Sequence, residues 1–240
     1  MSSTRVEQQS KTAIDQDTPL LPTTKSYSIF NLEDQFLFYG QYHHNPVNIL
    51  IHLICVPVIF FTSLILAHQF GFFPHTVLGA VELPELLVRT GWFGQTGAMY
   101  ELNMSTVTSI GYALYFVALE PVAGLLYMPI LLAFGHWANL IVTSFPDSYF
   151  NPTLAIWVLS WILQFVGHGH FEKRKPALID NLFQSIVLAV FFVWIEALFF
   201  LGYKPALARS IHRKIAAAVA QFKASSPSHS PQSPPPSKAP

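Results

Sequence analysis

Polar and apolar residues along this 240-residue chain are sorted into long blocks rather than interleaved. One apolar run begins at Asn45-Pro46 and continues to Ala67. Others fill Val107 to Val142, Thr153 to Gly167 and Ala177 to Leu201. These runs approach the roughly 20 residues that carry a helix across a bilayer, and they barely have the polar face that a soluble helix needs. The pattern predicts an all-α fold, a polytopic helical membrane protein of about four to five spans with disordered termini. Val107–Val142 is too long for one crossing and is broken by Glu120-Pro121. That predicts two spans meeting near Pro121, or one long kinked helix. Phe145-Pro146-Asp147-Ser148 reads as a turn.

Boundary residues refine the division. Residues 1–28 are polar and aperiodic, which predicts a disordered tail. Residues 29–203 form the helical membrane domain. Residues 204–224 predict a basic amphipathic helix, either lying on an anionic membrane surface or solvated. Residues 225–240 are Pro-rich and extended or disordered. Asn31 is placed to cap a short interfacial helix, with Glu33 and Asp34 in its first turn. Asn45 before Pro46 is a second start signal and leaves His43 and His44 just outside the helix. Residues 68–103 interrupt the apolar pattern and predict a loop with a short helix near Glu82–Arg89.

Composition changes the picture in three ways. Charged residues make up 11% of the chain, against about a quarter in soluble domains, and mean hydropathy is +0.40. Between Lys25 and Lys173 the only Lys or Arg is Arg89, so nothing suggests a nucleic-acid surface; the partner is the lipid bilayer. Cys55 is the single cysteine, which rules out an intramolecular disulfide. The first 25 residues hold no apolar core of a cleavable signal, so insertion is expected to begin at the first span. Orientation is left open. Both Lys173-Arg174-Lys175 and the basic C-terminal segment favour the cytoplasmic side, yet a full crossing between them would separate them.

Two polar inserts in this apolar chain carry the candidate chemistry. One holds His43, His44, Asn48 and His52; the other, Gln164 to Asn181, holds His168, His170 and Glu172. Ionisable groups at membrane depth point to function, and imidazole with carboxylate suits iron or zinc. Asn48 and His52 stand four apart on one helical face, as do His168 and Glu172. His170 projects about 200° from His168 on a regular helix, so both reach one metal only if the helix is broken. Pro176 predicts that the helix ends before it. Lys173, Arg174 and Lys175 fit an interfacial anchor, or a clamp for the carboxylate of a long-tailed acid.

The segments FYGQYHHNPVNILIH and QFVGHGHFEKRKPALIDNLFQSIVLA resemble the two signature segments of the 2-hydroxy fatty acid dioxygenase family, small membrane proteins of the endoplasmic reticulum. The resemblance covers Phe36 to Tyr203, strongly at both motifs and weakly between them. It implies an Fe(II)-dependent α-oxidation in phytosphingosine breakdown, in which a 2-hydroxy fatty acid and O2 give the acid one carbon shorter. It implies His43, His52 and His168 as metal ligands, with His44 as the fourth. Asn48 and Glu172 would orient the imidazoles, and Asp180 and Asn181 join them as outer polar support. The insert at 68–103 departs from compact family members. The rival reading is a non-enzymatic lipid-binding or scaffolding protein whose histidines and asparagines bond helix to helix. A transporter is a weaker rival, because no repeat symmetry accompanies Glu120-Pro121.

Overall fold

A computed structural model describes residues 30–69, 79–93, 99–173, 182 and 184–225. The two tails, the turn expected at Pro176, and Arg174, Lys175, Asp180 and Asn181 lie outside these residues. The local start signals act as expected. Asn31 accepts from the Asp34 N–H and opens α1 (Leu32–Gly40), and Asn45 accepts from the Val47 N–H and opens α2 (Pro46–Ala67) with Pro46 in the first turn. The insert forms β1 (Ala80–Glu82), α3 (Glu85–Val88) and β2 (Met99–Glu101), with the two strands antiparallel. This hairpin is absent from the sequence expectation, because strands of three residues carry no readable alternation. The helix expected near Glu82–Arg89 is there, but as a single turn.

Glu120 ends α4 (Met104–Leu119) and caps α5 (Pro121–Ser144), accepting from the Ala123 N–H at 2.6 Å. Of the two readings of Val107–Val142, the chain therefore takes the two-helix one. After the turn at 145–149 comes α6 (Phe150–Val166), and a π-helical segment, Gly167–Glu172, continues it. A second π-helical segment, Gln184–Leu188, leads into α7 (Ala189–Phe200), followed by α8 (Pro205–Ser225).

Hydrogen bonds fix the order of ends. The end of α2 meets the start of α4 through His68 and Ser105 (2.7 Å), and the start of α6 through Gln69 and Tyr149 (3.0 Å). α2, α4, α5 and α6 therefore alternate in direction, and the β-hairpin sits at the end opposite His43 and His168. Three of these helices, α2, α5 and α6 with its π extension, are long and apolar enough to cross a membrane. α4, at 16 residues, covers about 24 Å and makes the shorter return. Among the described residues, three helices are long and apolar enough to cross, or four if the bent pair of α7 and α8 is one span, at the lower end of the expected range.

The end of α7 bears on orientation. With the π segment before it the helix runs Ser185–Phe200, and the chain then bends by 117° into α8, the form of a broken span or a re-entrant loop. Past the bend, Lys204 Nζ lies 2.7 Å from Glu120 Oε1, and the Tyr203 hydroxyl donates to Glu120 Oε2 at 2.8 Å. Glu120 lies at the same end of the bundle as the start of α2 and the end of α6. The second basic segment thus returns to the end where Lys173 stands, with no crossing between them. α8 turns its apolar face onto the protein, burying Ile211 and Ile215, while Lys214 pairs with Glu33 of α1. The Ile215 side chain fills the space beside Gly40, where a Cβ would lie 2.1 Å from it.

Candidate metal centre

Three imidazoles meet where the start of α2, the linker before it and the π segment converge. The ring centroids of His43, His52 and His168 are 4.4, 4.8 and 4.9 Å apart. One ligand nitrogen from each lies within 4.8 Å of the others, a grouping that could hold a metal ion. His52 and His168 are buried.

Backbone carbonyls aim two of the three rings. His43 Nδ1 donates to the Tyr39 carbonyl at 2.9 Å, and His52 Nδ1 donates to the Asn48 carbonyl at 2.9 Å. Each bond consumes the Nδ1 proton position and leaves Nε2 with its lone pair free to bind, the usual way a ligating imidazole is oriented. His43 also stacks on the Tyr39 ring, 3.9 Å between centroids. Burial first, then the neighbouring rings of His52 and His168, hold His43 well below the ordinary histidine range, so the ring is neutral and ligand-ready. Three clustered imidazoles, two of them with fixed tautomers, suit a divalent metal of the iron or zinc type.

Glu172 does other work than its spacing from His168 suggested. Its Oε1 accepts from the backbone N–H groups of His44 and Asn45, each at 2.7 Å, and from Asn48 Nδ2 at 3.2 Å. Its Oε2 lies 2.7 Å from His44 Nδ1. The carboxylate thus closes the N-terminus of α2, where a negative charge is favoured. His44, placed in the ligand set by resemblance, has its ring on Glu172 and stands outside the group of three. Asn48 serves both sides, its carbonyl on His52 and its side chain on Glu172. His170 is exposed and Lys173 ends the π segment in the left-handed region (φ 55°). Gly167 lets the π segment approach α2, since a Cβ there would lie 2.3 Å from Asn48 Oδ1.

A cavity of about 260 Å³ opens from the imidazoles between α2 and α6, walled by Phe60, Tyr112, Trp157 and Phe192 among others. Gln164, one turn before His168, also lines it. Gln164 is 6% exposed, and its Nε2 has no hydrogen-bond partner among the described residues. The indole N–H of Trp161 on the same wall is likewise buried and has no partner among the described residues. Buried donors without acceptors are costly, so a cavity holding two of them suits a ligand that brings oxygen atoms. The sequence contains a signal for Gln164, an amide four residues before His168 in an otherwise apolar helix. The histidines beside it drew the reading instead.

Comparison with known proteins gives the chain a family. The family model described as 2-hydroxy-palmitic acid dioxygenase Mpo1-like matches residues 29–201. The Saccharomyces cerevisiae protein named 2-hydroxy-palmitic acid dioxygenase MPO1 is 36% identical over 187 residues, covering 78% of this chain and 91% of the yeast protein. No solved structure matches. The matched span contains all three imidazoles, the carboxylate that caps α2 and the cavity between α2 and α6; the chain belongs to the Mpo1-like family.

Proposed function

We propose that this chain is an Fe(II)-dependent dioxygenase of 2-hydroxy fatty acids, acting in the endoplasmic-reticulum membrane within sphingolipid breakdown. The observation that carries the reading is the position of the three imidazoles, at one end of an apolar cavity that also holds the unpartnered Gln164 amide. His43, His52 and His168 would hold the iron, which when bound supplies a site for O2 and for the oxygen atoms of the acid. The balance RCH(OH)COOH + O2 → RCOOH + CO2 + H2O needs no further reductant, since the hydroxylated carbon and the carboxyl carbon supply the electrons that O2 accepts. No 2-oxoglutarate is required.

The protein's own groups have separable tasks. The carbonyls of Tyr39 and Asn48 hold the ring tautomers. Glu172 and Asn48 keep the start of α2 fixed against the π segment. Gln164 Nε2 donates to a substrate oxygen, and the aromatic walls hold the acyl chain and exclude water. Lys173 stands at the same end, where a cation attracts a carboxylate.

The test uses membranes containing the protein, supplied with Fe(II) and air, and compares 2-hydroxyhexadecanoate with hexadecanoate. Pentadecanoate is expected from the hydroxylated acid alone, because a site built on a substrate hydroxyl rejects the analogue lacking it by roughly 10⁴-fold. Equal turnover of both acids, or strict dependence on 2-oxoglutarate, overturns the reaction. A protein that binds the acids and converts neither supports the lipid-binding rival.

A further inference from the structure

The cavity has a length as well as a chemistry. Its lining on α2 extends from His52 to Ser63, and on the facing wall from His168 back to Trp157. Each stretch covers eleven residue steps, about 16 Å at the helical rise. At the far end the Trp157 indole N–H donates to the Ser63 hydroxyl at 2.9 Å, tying α6 to α2. Tyr112 from α4 lines the cavity there too, its ring 4.7 Å from that of Phe60. We propose that Trp157, held across the helix pair by Ser63, is the end stop that sets the acyl-chain length accepted by the site.

This inference rests on the proposed reaction for the position of the head group and on the cavity's shape for the rest. C–C bonds of about 1.5 Å in an extended zigzag advance about 1.25 Å per carbon, so about 16 Å holds about 13 carbons beyond the head. Long-chain 2-hydroxy acids of about 15 carbons in all then fill the cavity. Substrate arrives from the bilayer, whose hydrocarbon is as apolar as the cavity walls, so each added methylene brings no gain on entry. What discriminates is the penalty on a chain that overruns. The indole is suited to impose it, because its ring is large and its polar edge is held on Ser63.

The test is a binding measurement on metal-free protein in lipid nanodiscs, so it needs neither iron nor turnover. A fluorescent fatty-acid probe is displaced by a series from 2-hydroxydodecanoate to 2-hydroxytetracosanoate. Wild-type affinity is expected to stay level to 2-hydroxyhexadecanoate and to fall about tenfold or more by 2-hydroxydocosanoate, as overpacking demands. Trp157→Ala should level the series, and Trp157→Phe should keep the fall because a ring remains. Ile156→Ala, at an exposed position on the same helix, should match wild type. If Trp157→Ala does not fold, Trp157→Leu serves and should move the fall to longer acids. A wild-type series without a break, the same break after truncating Trp157, or an equal shift from Ile156→Ala overturns the end stop. None of these results bears on whether pentadecanoate forms.

Discussion

His43 and His52 receive the same instruction by the same local device. Each imidazole donates Nδ1–H to the carbonyl four residues behind it, so each is poised before its partners from the second half of the chain arrive. If the three rings hold the metal, His52→Ala and His168→Ala should each leave less than about a tenth of an iron per chain after anaerobic loading, read by elemental analysis. His136→Ala, whose ring stacks on Tyr100 away from the cluster, should load as wild type. Glu172→Ala should retain the ligands yet bind iron about 10–100-fold more weakly, because the support of the α2 start is lost. Equal loss in all four variants would point to unfolding rather than ligation. The three clustered imidazoles were legible because histidines inside or beside apolar runs are conspicuous. His44 was less so, since adjacency in sequence does not decide which way a side chain outside a helix points. Only the fold shows it turned to Glu172.

At the scale of elements, what was readable is what is local. Asn31 and Asn45 cap α1 and α2 through bonds spanning two or three residues, and Glu120-Pro121 marks the α4–α5 break by the same kind of chemistry. The π segment was not readable. Its register depends on Gly167 meeting Asn48 of another helix, and nothing near residue 167 announces that contact. Glu120 joins both kinds of information, capping α5 locally and anchoring the α7–α8 bend at long range. Burial alone would raise its carboxyl, but the Lys204 ammonium, the Ala123 N–H and the Tyr203 hydroxyl outweigh that and hold it below the usual glutamate range. A depressed folded-state value means the contribution is present at neutral pH and is lost as pH falls through that value. Glu120→Ala should cost about 1–3 kcal/mol, measured by thermal unfolding in detergent at neutral pH. The deficit should shrink as the assay is moved below the glutamate range.

The whole molecule reads as a membrane protein from its apolar blocks, and the structure keeps that reading while correcting the path. A run as apolar as 177–201 reads as a straight crossing in sequence, because length and hydropathy do not reveal that the chain bends by 117° after Phe200. The consequence is directly testable. Cysteines placed at Lys173 and Arg209, in a background lacking Cys55, should be labelled by an impermeant reagent from one and the same side of the membrane. Labelling from opposite sides would mean that α7 crosses after all. The bonds from Glu172 to the start of α2 have a consequence of a different kind. They join positions 128 residues apart in sequence. At about 5–20 residues per second, the ribosome needs roughly 6–25 s to make the carboxylate after it has made His44. Through that interval α2 has its Asn45 cap but not the carboxylate behind it, and one of the three imidazoles is unmade. If the proposed function holds, a metal ion that arrived before His168 was made would meet two imidazoles rather than three, so loading would belong after the π segment is in place.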